Sequence, residues 1–332
     1  MKAKLLKYNA DKDLYDNLSE VTWKSPTYLR KVVLAKKPLE RQWLIRSDLY
    51  GCLIFLRIIG PFIATLLLAP YLWLIAGPLS VVPIMLMLGV YGYKISFIMH
   101  DCSHDSLFRA RYYNDYVGVV CGWLVGADYY QFKLVHRDHH LYNLTKRDPQ
   151  FEEAAGLQRA SKFFLLWHLT KALIGGRIGG YFNDYHLSAK EKAVPGRVKS
   201  FLRTLPTILS QIIIMILITD FGEVPILALA YPISASTISL FLARLRTFAE
   251  HVEPADLSLP DFVRTHRANW FDQFFLYDAN FNYHFEHHLF PAIASCHLHS
   301  IHQSYKDFTH SDLSLGGSMF STIVNRLKDS VR

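Results

Sequence analysis

Ile58-Ile-Gly-Pro-Phe-Ile-Ala-Thr-Leu-Leu-Leu-Ala-Pro70-Tyr-Leu-Trp-Leu-Ile-Ala-Gly-Pro78-Leu-Ser-Val-Val-Pro-Ile-Met-Leu-Met-Leu-Gly-Val-Tyr-Gly-Tyr93 contains no Asp, Glu, Lys, Arg or His in 36 residues. As one helix it would be about 54 Å long at 1.5 Å per residue, against a hydrocarbon core of about 30 Å. Pro70 and Gly77-Pro78 divide it, which predicts a helical hairpin with spans near 49–69 and 79–99. A second hairpin is expected further on. Residues 204–219 are uncharged, Asp220-Phe-Gly-Glu223 reads as a tight polar turn, and 224–243 are uncharged again, giving spans near 203–219 and 224–244. Two such pairs with short breaks argue against helices buried in a large soluble core.

The remainder of the chain fixes the expected orientation. Of 332 residues, 51% are hydrophobic and 19% charged, below the roughly 25% of soluble domains. That excludes a disordered or collagen-like chain. Four cysteines with no C-x-x-C pair exclude a disulfide scaffold and a thiolate zinc module. The net charge is +8, and eleven lysines and arginines from Lys2 to Arg46 precede the first apolar run. No arginine cluster is interleaved with stacking aromatics, so nucleic acid is not an expected partner. The start is too charged for a secretory signal. Neither hairpin turn carries a lysine or arginine, whereas the N-terminal arm, 100–203 and the C-terminal segment are rich in them, which places both termini on the cytoplasmic side. Asn17-Leu-Ser and Asn143-Leu-Thr match the glycosylation pattern but lie on that side and are discounted.

The expected organisation is a cytoplasmic arm over 1–48, a membrane domain over 49–310 and a tail over 311–332. The fold class is an all-α integral membrane protein: four transmembrane helices in two hairpins, plus a cytoplasmic helical cap (100–202 and 245–310) that carries a di-metal site. Within the cap, 117–126 and 162–174 are apolar but too short to span and suit interfacial or cap-packing helices. Gly175-Gly-Arg-Ile-Gly-Gly180 reads as a connector, lacking dinucleotide-loop spacing. Trp73, Tyr91 and Tyr93 are candidate interface anchors.

Sixteen histidines are the anomaly of this apolar chain. Three clusters stand out: His100-Asp-Cys-Ser-His104, His136-Arg-Asp-His139-His140 and His284-Phe-Glu-His287-His288. Residues three and four apart share a helix face, so each cluster presents its rings together. At this histidine content about 0.04 H-x-x-H-H matches are expected per chain by chance, and two are present. Neutral imidazole suits zinc, copper, iron or nickel. Eight nitrogens exceed what one ion can use, which implies two metals. Placed at the cytoplasmic ends of spans, they cannot form a mid-membrane ion path, but an apolar chain from the lipid could reach them. A ninth candidate is His251, which follows Glu250 directly after the fourth span.

The three clusters, the last within Asn282-Tyr-His-Phe-Glu-His-His-Leu-Phe-Pro291, resemble the three histidine boxes of the membrane-bound fatty-acid desaturase superfamily, which also includes membrane alkane and lipid hydroxylases. The resemblance runs over about 50–310 and includes the paired hairpins. It implies a histidine-ligated non-haem centre of two Fe ions that uses O2 and electrons to attack an unactivated C–H bond. It also carries the family's extra ligand onto His251, making the implied ligand set His100, His104, His136, His139, His140, His251, His284, His287 and His288. His284 stands where front-end desaturases usually carry glutamine. No cytochrome b5-like His-Pro-Gly-Gly motif occurs, so a separate electron donor is expected, a ferredoxin or a cytochrome b5 with its reductase. The lipid bilayer and a long-chain acyl substrate are the other expected partners, in a bacterial inner membrane or the endoplasmic reticulum.

Glu250 and Asp148 lead the acids placed to orient metal-bound histidines; Asp138 is a further candidate, and Asn280 and Asn282 are candidates to hold a metal-bound water. His168, His186, His266, His297, His299, His302 and His310 lack box spacing and are read as structural. The expected reaction is O2-dependent desaturation of an acyl chain. Hydroxylation by a membrane di-iron enzyme is the nearest rival. A membrane zinc hydrolase would need three protein ligands and leave most of the histidines unused, and a metal carrier would need polar residues mid-span.

Overall fold

The structure is a computed structural model and describes residues 30, 34–35, 37–143, 148–149, 161–174, 197–251, 263–305 and 315–329. The described residues are mostly helical, with a single short β pairing among them. Helix α1 (Asp48–Ala76) starts at Ser47, whose side chain accepts the Tyr50 backbone N–H. Pro70 does not divide it, contrary to the sequence expectation. A proline inside a helix costs one backbone hydrogen bond, here to the carbonyl of Leu66, and the packed apolar surroundings retain the helix. The break comes at Gly77, whose positive φ of 55° few other residues tolerate. A 3-10 turn over Gly77–Ser80 then leads into α2 (Val81–Ser103), which packs back against α1.

Along α1, Ile54, Ile58, Phe62, Leu66 and Ala69 form the buried stripe, while Leu56, Leu67, Leu68, Leu74 and Ile75 are exposed. A helix that is apolar on its outer face as well as its inner one suits lipid rather than water. By length and hydropathy, two continuous helical stretches could cross a membrane, Asp48–Ser103 and Pro225–His251; Leu205–Ile218 is apolar but shorter. The first stretch contains both arms of the first hairpin.

Helix α2 is the centre of the molecule, touching α1, α3 (Arg111–Val125), α4 (Tyr129–Tyr142) and α7 (Ala230–Ser234). Asp128 caps α4, accepting the N–H groups of Tyr130 and Gln131. Helix α5 (Lys162–Leu173) and the long α6 (Arg197–Ile218) follow. The turn after α6 puts Asp220, Phe221 and Gly222 at positive φ. Helix α7 continues without interruption through a π-helical turn, Ala235–Ser239, into α8 (Leu240–His251). The π turn lies against Gly89 of α2, where a β-carbon would come within 2.5 Å of Ile238. Close approach of these helices therefore depends on that glycine.

The last part of the chain folds over the ends of α2 and α8. It comprises β1 (Thr265–His266), α9 (Trp270–Phe275), α10 (His284–Leu289), α11 (Leu298–Tyr305), β2 (Leu315–Gly316), which pairs parallel with β1, and α12 (Met319–Asp329). Tyr93, an expected interface anchor, is instead buried, its hydroxyl donating to Leu276 O and its ring edge-on to Phe97. The glycine-rich 175–180 segment, Asn17, His186 and His310 lie outside the described residues.

Candidate metal centre

The first histidine cluster is placed by the C-terminal turn of α2. His100 is on the last turn, and His104 is the residue that caps it. The chain then turns through Asp105, at φ 54°, and is held by Asn114, whose amide accepts from the N–H groups of Leu107 and Phe108 and donates to Phe108 O and Ala110 O. Lys133 of α4 bridges Asp105 at 2.8 Å and Asp115 at 2.9 Å, fixing this turn to the helix bearing the second cluster.

All nine sequence-singled imidazoles come together, in two groups. His100, His104, His136, His140 and His287 form one, their ligand nitrogens within 4.8 Å of one another. His139, His251, His284 and His288 form the second, with Glu250 beside His251 and His284. The two H-x-x-H-H clusters are divided in opposite ways. Helix α4 gives its i,i+4 pair, His136 and His140, to the first group and His139 to the second. Helix α10 gives its i,i+4 pair, His284 and His288, to the second group and His287 to the first. The groups are adjacent, with the rings of His140 and His288 4.1 Å apart.

The approach of these nitrogens is unusual for hydrogen bonding alone. Nε2 of His140 lies 3.0 Å from Nε2 of His136 and 3.2 Å from Nε2 of His287, and Nε2 of His284 lies 2.9 Å from Nε2 of His251. A neutral ring has one donor nitrogen and one acceptor, whereas two nitrogens each about 2.1 Å from one shared ion, at right angles, stand about 3.0 Å apart. Nε2 atoms of His100, His104 and His288 are buried and meet no hydrogen-bond partner among the described residues. Burial, reinforced by neighbouring imidazoles, holds His136, His140, His287 and His288 well below the usual histidine range, in the neutral form that binds metals. The residues present therefore fit a pair of metal ions.

The surrounding acids divide. Asp148 accepts from His139 Nδ1 at 2.9 Å, leaving Nε2 for a metal. Glu250 is buried, paired with Arg246 at 2.8 Å and 3.3 Å from His284 Nε2. Asp138 pairs with its neighbour Arg137 at 3.1 Å on the open side of α4. Glu286 accepts from Thr265 at 2.5 Å and pairs with His302 at 2.6 Å, tying α10 to β1 and α11. Asn280 donates to Ser295 O and Asn282 to His266 O, so both amides bind backbone.

Three positioning groups escaped the sequence reading. Arg246 lies against the stacked rings of Phe97 and Phe281 and donates to His284 Nδ1 at 3.2 Å. Because a guanidinium only donates, His284 holds its proton on Nε2 in this arrangement, facing Glu250. The i,i+4 spacing of Arg246 and Glu250 was the available signal. His302 is buried against Glu286, a role its spacing did not announce. Asn143, set aside as a glycosylation match, lies 3.3 Å from His288 Nδ1. Turning its amide pairs Oδ1, which meets no partner among the described residues, with His288 Nδ1–H and leaves Nε2 free for a metal.

Comparison with known proteins agrees with this geometry. The fatty acid desaturase family matches residues 76–314, well over half of the chain. A fatty acid conjugase of Calendula officinalis is 23% identical over 264 residues, covering 70% of this chain and 69% of the relative. A second conjugase from that plant is 22% identical over 278 residues, covering 73% and 72%. A Delta(8)-fatty-acid desaturase of Helianthus annuus is 23% identical over 249 residues, covering 64% of this chain and 53% of the relative.

Proposed function

The chain belongs to the fatty acid desaturase family, and on that premise we propose that it is a membrane enzyme that introduces a double bond into a long-chain acyl group with O2 and electrons from a separate donor. The observation that carries this reading is the convergence of nine imidazoles into two adjacent groups, five in one and four beside Glu250 in the other. A mononuclear zinc hydrolase needs three protein ligands and would leave most of these rings unused.

In this reading the ligands are His100, His104, His136, His140 and His287 for one ion and His139, His251, His284 and His288 for the other. A pair of iron ions held there would supply O2 activation and removal of hydrogen from adjacent methylenes. The chain's own residues do the rest. Asp148 and Asn143 fix the rings of His139 and His288 from behind. Glu250 stands as a buried carboxylate beside His251 and His284, with Arg246 compensating its charge. The burial of α2's end beneath α10 keeps bulk water from the ligand nitrogens. The hairpins cross the bilayer as four spans with the centre on the cytoplasmic side, a reading supported by the lysine and arginine distribution and the apolar outer face of α1.

Expression in a host of known lipid composition, followed by mass analysis of its acyl chains, tests the function. A new double bond is the expected product. A conjugated product would align the chain with the Calendula officinalis relatives by name, a hydroxyl group would establish the rival oxygenation, and an unchanged acyl profile in cells that accumulate the metal-loaded protein would contradict all three.

A further inference from the structure

The hydrogen bonds of two charged residues inside the first hairpin fix the depth of a segment far along the chain. Lys94 is buried in α2 and donates to Asp278 at 3.1 Å and to Gln273 O at 3.1 Å. Arg57 of α1 pairs with the other oxygen of Asp278 and is half exposed. Arg57 lies nine residues after the start of α1, and Lys94 nine residues before the end of α2, so both sit about 14 Å below the cytoplasmic ends of their helices. From Arg57 to Ala76, α1 is about 29 Å long, which matches the hydrocarbon thickness. Helix α9, whose carbonyl of Gln273 receives Lys94, is thereby held at the level where hydrocarbon ends and headgroups begin.

Helix α9 is built for that level. Asn269 and Asp272 form a reciprocal cap, and Asp272 also accepts from Met319 N, so the short helix is fixed on both sides. Its outward face is aromatic: Trp270 is 78% exposed, and Phe271 and Phe274 are 44% and 38% exposed. Phe320, next to Met319, is also exposed. At this level Arg57, Lys94 and the exposed Arg267, three residues before α9, stand against Asp278 and Asp272, three cations to two carboxylates. Aromatic rings beside surplus positive charge suit the glycerol and phosphate region of a bilayer.

We infer that Trp270, Phe271 and Phe274 dock into the headgroup region of the same bilayer, and that the Arg57–Asp278–Lys94 cluster marks the cytoplasmic hydrocarbon boundary. The ends of α1 and α2, with His100 and His104, then stand above the bilayer, and an acyl chain must rise past α9's level to reach them. The inference rests on the membrane-spanning reading of the first hairpin.

The test is spin-label accessibility in the full chain, with Cys52→Ser and Cys296→Ser, reconstituted in phosphatidylcholine–phosphatidylglycerol vesicles. Labels are placed singly by Trp270→Cys, Phe274→Cys, Leu68→Cys and Arg137→Cys. Leu68 is exposed mid-span and Arg137 is exposed on α4. The Leu68 label should favour oxygen over a water-soluble nickel chelate severalfold, the Arg137 label should show the reverse, and the labels at 270 and 274 should fall between. Nickel accessibility at 270 and 274 equal to that at 137 overturns the docking, as does shielding from both reagents, which would indicate a protein seat such as a second copy. A Leu68 label without oxygen preference shows that the spanning reading has failed, and the docking with it.

Discussion

The two halves of the candidate centre are built from the same side chain but held by different means. In the five-histidine group, the outward nitrogens of His100 and His140 meet no hydrogen-bond partner among the described residues. Those rings are aimed by the helices that carry them: the last turn of α2, locked by Asn114, and the capped α4. In the four-histidine group, three rings are held from behind by side chains, His139 by Asp148, His284 by Arg246 and His288 by Asn143. Helix geometry can aim an i,i+4 pair together, and α4 and α10 each have one such pair, which goes to one side only. Both groups draw on three elements, but the first takes two i,i+4 pairs, His100/His104 and His136/His140, whereas the second takes one, His284/His288, and receives His139 and His251 singly from α4 and α8.

This contrast can be broken at either end. The largest effect is expected from removing one ligand in each group. His287→Ala and His139→Ala should each abolish detectable product in the acyl-chain assay while leaving membrane insertion intact, and each should remove about one metal per chain. Arg246→Met comes next, because it leaves the Glu250 carboxylate buried without its cation. About 3–5 kcal/mol of stability should be lost, read as a lower unfolding temperature in detergent, and the loss should shrink when Glu250→Gln is added. Asp148→Asn should lower affinity for the second metal about 10- to 100-fold, measured by chelator competition, while the first metal remains bound. Asn143→Ala is the mildest, with about 1 kcal/mol expected from one neutral hydrogen bond, seen as a few-fold faster loss of that same metal. Equal sensitivity of both metals to Asp148→Asn would remove the distinction between the halves.

The candidate ligands were legible because helix periodicity turns spacing into direction: His100 and His104, and each H-x-x-H-H, had to present rings together. Glu250 and Asp148 were legible as acids near the clusters, and Gly77-Pro78 and Asp220–Glu223 as turns. The division of each H-x-x-H-H cluster between two groups was not readable, since it depends on how α4 and α10 face each other across almost 150 residues of chain. Pro70 read as a break because a proline usually ends a helix in water, but in packed apolar surroundings one lost backbone bond is tolerated, and the reversal fell to Gly77. His302 carried no signal, because its partner Glu286 is brought to it by the fold of α10 onto α11. Tyr93 looked like an interface anchor by composition alone, and its burial under Leu276 follows from the docking of α9 on Lys94.

The most direct test of the two-ion centre is metal analysis of the purified full-length chain, wild type and His139→Ala side by side. The account predicts about two irons per chain, falling to about one in the variant. A single zinc per chain that survives His139→Ala would contradict it.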